Sequence, residues 1–436
     1  MKRKWTAIAM SLVTVASLSL TACGGGGSNA ASGSSESSEA DGKTTLKICW
    51  WGNQVRNDAT QEAVNLYMEQ NPDINIEVEF MDWTGYWDKL STVAAGGNLP
   101  DIIQMDYAYL KRYQESNQLA NLDEFIENGT IDTSKFQEGV LDSGSVDGNC
   151  YAISLGIQPP CMVYDKAIVE EAGVEIPEYP TWEELYDIGQ TIYEKTGVST
   201  CLDPSTNTLL LLARSYGGYI YDDLAEGDSK AVQKHMEYVE KFSQAEFCIS
   251  PELWAEKDAA NVDTKPIVDQ TTWNDFPFAC QMPTIATAAG REMGMCMHPK
   301  PADATAEQNY LKPSMFFSIA ETSEHKEEAA KFINWFSNDV ECNKILKGER
   351  GVPVNTEVAD AISADLDDNT KRVFEYTAEA GQITSPIDPP EPTSASEISQ
   401  LLETITEGLM YGEITAEDAT DQFMSGAAEI LQEAAE

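Results

Sequence analysis

Three short stretches of the chain set an aromatic ring beside a hydrogen-bonding group: Trp51-Gly52-Asn53, Asp82-Trp83 and Asp106-Tyr107. Aromatic rings offer flat apolar platforms, while carboxylates and amides make directional hydrogen bonds, the charged ones the stronger. That combination suits binding more than bond-breaking. Far along the chain, GERGVPVN (348–355) adds the guanidinium of Arg350. Signatures of nucleophilic, metal-assisted or phosphate chemistry are missing, since there is no G-x-S-x-G, no H-E-x-x-H and no G-x-x-x-x-G-K-[ST]. With three histidines and no C-x-x-C, neither a metal site nor a cofactor is expected. DLDDNT (365–370) approaches a calcium loop, but Thr370 stands where the turn glycine belongs and Tyr376 where the last glutamate belongs. The 73 acidic residues leave room for a paired-carboxylate glycoside hydrolase, which stays as a rival reading.

The elements that must position these groups are legible. LKICWW (46–51) reads as a strand, and 58–72 follows as a helix. Ile74, Ile76, Val78 and Phe80 alternate with Asn75, Glu77 and Glu79, the period of a strand buried on one side. A helix over 84–97 ends in glycines, and DIIQMD (101–106) is a third strand. Strand and helix in alternation predict a parallel, doubly wound sheet, whose ligands sit beyond the carboxyl ends of the strands. Those ends carry the three aromatic-polar stretches.

A second α/β region follows. Thr181-Trp182-Glu183-Glu184 is a capping box opening a helix to about 196, and helices are expected over 229–247, 324–338, 397–410 and 415–435. Pro386–Pro392 is a rigid turn. A chain of 436 residues exceeds one comfortable core, so two lobes are expected.

The amino terminus has a different logic. Lys2, Arg3 and Lys4 precede an uncharged, mostly apolar run over 6–22, the layout of a signal peptide. Leu20-Thr21-Ala22-Cys23 then resembles the processing site of bacterial lipoproteins. The resemblance implies that Cys23 carries the diacylglycerol thioether and acyl (palmitate) chains and becomes the mature terminus. Two acyl chains anchor stably where one does not. Residues 24–43, rich in Gly and Ser, make a flexible tether of roughly 25 Å. An ordinary secretory signal with a chance cysteine is the alternative.

Removing Lys2, Arg3 and Lys4 with the leader takes the net charge from −45 to −48. Such a body is repelled by phosphate backbones, which argues against nucleic acid. Eight cysteines remain after Cys23, and eight allow 105 pairings. Several sit in apolar stretches such as KICWW and GMCMHP, so free buried thiols are expected.

Five segments in order carry a wider resemblance: LKICWWGN, AAGGNLPDIIQMD, GNCYAISLGIQPPCMVYDKAIVEEAGV with TWEEL, YLKPSMFFSIAETSEHKEEAAKFINWF, and GERGVPVN. Together they resemble the carbohydrate-transporter class of extracellular solute-binding proteins, the maltose-binding-protein-like family. This implies an α/β, two-lobed periplasmic-binding-protein-like (type II) fold, with doubly wound sheets joined by hinge strands near 155–160, 312–317 and 350–356. Lobe one would be 44–156 plus 317–352, and lobe two 157–316 plus 353–436. The implied function is to hold a carbohydrate, expected to be an oligosaccharide, between the lobes and deliver it to the permease subunits of a membrane ABC transporter. A monomer on the outer face of the cell membrane is expected, touching the membrane through its lipid alone. A peptide or polyamine is the alternative ligand.

Sugar rings present apolar C–H faces and a rim of hydroxyls, so rings and polar groups are weighed as contacts. Trp51 and Trp83 at strand ends are candidates, and the resemblance adds Trp273 in TTWNDFPFACQ (271–281) as a stacking ring. Asn53, Asp82 and Asp106 would meet hydroxyls, with Tyr86, Gln158, Asn274 and Asp275 as further candidates. Arg350 serves either the ligand or a brace between hinge strands. Trp87, Trp182 and Trp335 are read as interior.

Overall fold

A computed structural model of the chain describes residues 42–137, 139–257 and 262–435. The leader, Cys23 and most of the tether lie outside the described residues. The chain enters through β1 (Thr44–Trp51), α1 (Gln54–Gln70), β2 (Ile74–Met81), α2 (Trp83–Ala95), β3 (Ile102–Met105) and α3 (Tyr107–Glu115). A short helix α4 (Asp123–Glu127) and the strands β4 (Ser145–Val146), β5 (Asn149–Cys150) and β6 (Ile153–Ser154) complete the first region. The first helix starts four residues earlier than the apolar pattern suggests. Asn53 explains this: its Oδ1 accepts from the Arg56 amide at 3.0 Å and caps the helix.

The second region runs through β7 (Cys161–Asp165), α5 (Lys166–Ala172), α6 (Trp182–Thr196), α7 (Thr206–Ser215), α8 (Ile220–Glu226), α9 (Lys230–Ser243), α10 (Pro251–Glu256), β8 (Asn274–Asp275), α11 (Met282–Ala289) and β9 (Met293–Met297). The capping box at Thr181 closes in both directions, with Thr181 Oγ1 accepting from the Glu184 amide and the Glu184 carboxylate accepting from the Thr181 amide. The chain then returns as β10 (Phe316–Ile319), α12 (Lys326–Asn338) and α13 (Val340–Leu346). It ends in α14 (Thr356–Ser363), α15 (Asp368–Ala380), α16 (Ala395–Met410) and α17 (Ala416–Ala435).

Two sheets organise these pieces. The first has the order β2-β1-β3-β10-β6, with β1 parallel to β2 and β3, and β10 antiparallel to β3 and β6. Its inner strand β1 is buried on both faces from Ile48 to Trp51. The second sheet, β8-β7-β9, pairs antiparallel among its named strands, with parallel bridges Ser199–Thr272 and Thr200–Cys248 beside it.

Each sheet has its own core. Leu46, Ile48 and Trp50 pack with Phe317, Phe332 and Phe336 of the returning segment. Trp182, Phe242 and Phe423 centre a helical core, while Val163, Met295 and Tyr376 centre the layer behind β7 and β9. The molecule is thus a two-lobed α/β fold. Three segments run side by side between the sheets. Ile157 exchanges backbone hydrogen bonds with Val352 at 2.9 and 3.0 Å, and Gln158 donates to Lys312 O at 2.8 Å. Gly351, at φ 91°, lies so close to Ile157 that a Cβ would collide with its carbonyl.

All eight cysteines from Cys49 to Cys342 are unpaired, and burial pushes the Cys49 and Cys150 thiols up to about 12. Among the described residues, no helix is long and apolar enough to cross a membrane, and no group of three or more His, Cys, Asp or Glu is placed to hold a metal ion.

Candidate binding cleft

Three helices begin at the carboxyl ends of β1, β2 and β3. Asp82 Oδ1 accepts from the Gly85 amide at 2.9 Å, and Asp106 Oδ1 from the Ala108 amide at 3.0 Å. Asn53, Asp82 and Asp106 are therefore N-caps first. Each stays partly or fully open to solvent, and capping occupies one oxygen of each carboxylate, so the other can still accept from a ligand hydroxyl.

Above these caps stands an aromatic cluster. Trp51 makes edge contacts with Trp83 at 5.0 Å and Tyr86 at 5.2 Å, and Trp87 stacks on Tyr109 at 3.7 Å. Trp51 is buried, whereas Trp83 is 44% exposed. The cluster thus has a rigid base and one open ring. Trp51 supports the platform; Trp83 offers it.

The floor continues at the hinge. Arg56 folds back over Gly52, donating from Nε to Glu349 Oε2 at 2.8 Å and from Nη1 to Trp51 O at 3.3 Å. Gln104 donates to Trp51 O at 3.1 Å and accepts from Arg350 Nη2 at 3.2 Å. Across from them Gln158 Oε1 accepts from the half-buried Cys280 thiol at 2.5 Å. Burial pushes that thiol up to about 11, with Arg56 pulling it down and Glu349 pushing it up, so the two sides lie within electrostatic reach.

On the far flank the proline-rich turn forms a strap. Arg214 Nη1 pairs with Asp388, and its Nη2 donates to Ser385 Oγ at 2.6 Å and Pro386 O at 2.8 Å. Tyr107, at the start of α3, donates to Asp388 O at 2.5 Å and so joins the first lobe to the strap.

Seven candidates thus gather here: Trp51, Asn53, Asp82, Trp83, Asp106, Gln158 and Arg350. Four do not. Tyr86 is fully buried and spends its hydroxyl on Gln104 O at 2.5 Å. Trp273 is fully buried in the core of the second lobe, donating from Nε1 to Thr200 Oγ1 at 2.9 Å. Its place in β8's approach to β7 turns it inward, which corrects the stacking role expected for it. Asn274 is equally buried and clips the 201 backbone, accepting from the Cys201 amide at 2.7 Å; Asp275 pairs with Lys265 at 2.8 Å. Arg56, Glu349 and Arg214 are groups that the sequence reading missed, while Tyr107 was read only as the ring beside Asp106. Arg56 had one signal, its position three residues beyond the helix cap that follows Trp51.

The sequence profile of the family described as bacterial extracellular solute-binding protein matches residues 51–340, more than half of the chain. The chain belongs to that family. It is a solute-binding protein and not an enzyme. A solved extracellular solute-binding protein of family 1 from Alicyclobacillus acidocaldarius superposes with a TM-score of 0.77 at 28% identity, covering 90% of this chain and 100% of that one. A diacetylchitobiose binding protein of Streptomyces coelicolor is 27% identical over 44% of this chain, and the match spans 43% of that relative's length. A carbohydrate ABC transporter substrate-binding protein of Streptococcus pneumoniae is 22% identical over 80% of this chain and 73% of its own.

Proposed function

We propose that this solute-binding protein captures an oligosaccharide in the interlobe cleft and delivers it to the permease of an ABC transporter. The observation that carries the reading is Trp83: an open indole on a rigid aromatic base, flanked by Asp82 and within one cleft of Asp106. The ring covers an apolar sugar face, and the free carboxylate oxygens accept from hydroxyls. Relatives named for oligosaccharide binding and for carbohydrate transport support it.

Lobe one is 44–156 plus 317–352, and lobe two 157–316 plus 353–436, moving about the three adjacent segments at 157, 312 and 352. Closing them around the sugar presents one surface to the permease. A lipid on Cys23, with 24–43 as tether, holds the protein at the outer face of the membrane.

Calorimetric titration with a panel of oligosaccharides tests the reading, with product analysis of the same mixtures. Heat of binding and unaltered sugars are expected. Absence of binding to every oligosaccharide, with tight binding of a peptide or polyamine, overturns it.

A further inference from the structure

We propose that the hinge end of the cleft floor receives a carboxylate, so that the solute is an acidic oligosaccharide with a uronate residue seated at Arg350. This rests on the carbohydrate reading above and narrows it. In a chain with 73 acidic against 28 basic residues, cations are scarce, yet two guanidinium groups gather here around one carboxylate. Arg56, Glu349 and Lys312 all act on the Cys280 thiol, and Arg350 lies 4.0 Å from the Glu349 carboxylate. Glu349 is already engaged by Arg56 at 2.8 Å, so one acid is shared between two guanidinium groups.

Arg350 itself is 2% exposed. Only Nη2 has an acceptor; Nε and Nη1 find none among the described residues. Phe336 supports the guanidinium at 5.5 Å from its ring centroid, a contact that leaves the N–H edge unpaired. Burial without matching partners weakens its hold on the proton, and the like charge of Arg56 adds to this. A buried, under-paired charge costs folding free energy. The arrangement makes sense where an incoming group supplies the missing acceptors. A neutral hydroxyl would satisfy one N–H and leave the excess positive charge. A carboxylate supplies two oxygens in the fork geometry of a guanidinium and one negative charge.

The test ranks galacturonate and glucuronate oligomers of two to six residues against their carboxyl-reduced neutral counterparts by calorimetry. The tightest ligand is expected to carry a carboxylate, to lose at least roughly thirtyfold on reduction, and to weaken as salt is raised. Arg350→Met should impose a similar loss on the acidic ligand while the ligand-free protein melts at the same temperature or higher. A neutral oligosaccharide that outranks every uronate overturns the inference and leaves the carbohydrate reading standing. So does Arg350→Met with unchanged affinity and a sharply lowered melting temperature, which would make Arg350 a hinge brace. If no oligosaccharide of either kind binds, both readings fall. Should the methionine variant not fold, the ranking on the unmodified protein decides alone.

Discussion

Replacing Trp83 with alanine removes the open ring and leaves its base. A tryptophan buries at most roughly 250 Å². At 44% exposure the structure leaves roughly 110 Å² of Trp83 for a ligand to cover. At about 25 cal/mol per Å², full coverage contributes about 2.7 kcal/mol, and coverage of half the ring about 1.4 kcal/mol. Trp83→Ala should therefore weaken the tightest oligosaccharide by roughly tenfold to hundredfold. Folding should suffer less, because Trp83 sits on the rim and loses only edge contacts with Trp51 and Trp87. Trp51→Ala is the comparison: as the buried centre of the cluster it should cost about 3–5 kcal/mol of stability. Calorimetric titration and thermal melts of both variants measure the two effects. An unaltered Kd in Trp83→Ala would refute the reasoning, because Trp83 is the exposed ring of this cluster.

Three more outcomes are expected. Trp273→Ala should lower the melting temperature through loss of about 3–5 kcal/mol while the folded fraction binds as before, measured by melts and titration. His235 and His298 are buried, and burial holds both at about 4, below their ordinary 6.5, against weaker upward pulls from the Pro204 carbonyl and Asp203 on His235 and from Asp203 and the Pro299 carbonyl on His298. The unfolded chain therefore takes up protons below pH 6.5 while the folded chain does not until about pH 4, so stability is lost across that window by up to about 3 kcal/mol per ring. The double variant His235→Asn, His298→Asn should flatten the fall in melting temperature between pH 7 and 5; an unchanged slope would count against the argument. Cys23→Ala should abolish fatty-acid labelling and release the protein or leave it unprocessed, and continued labelling would end the anchor proposal.

Local physics made much of this protein legible in its sequence. Period-two alternation marks β2, the reciprocal Thr181–Glu184 contacts mark α6, and alternating strands and helices imply the parallel part of the first sheet. The places of Trp83 and Arg350 in the fold were likewise legible, because both follow from position along the chain: a strand end and the segment beside Ile157. Tertiary structure decided the rest. Trp51 and Trp83 are similar residues at similar strand ends, yet one is buried and the other open, because α2 folds back over β1 and covers the first ring with the second. Trp273 sits in a stretch as polar as either, but its strand faces a layer of helices, and burial there follows from packing that no local pattern records. The pairing of Arg56 with Glu349 joins residues 293 positions apart. Side-chain type and spacing determine what a segment can do alone; which groups share one carboxylate, or one cleft, depends on contacts that exist only once the lobes have folded.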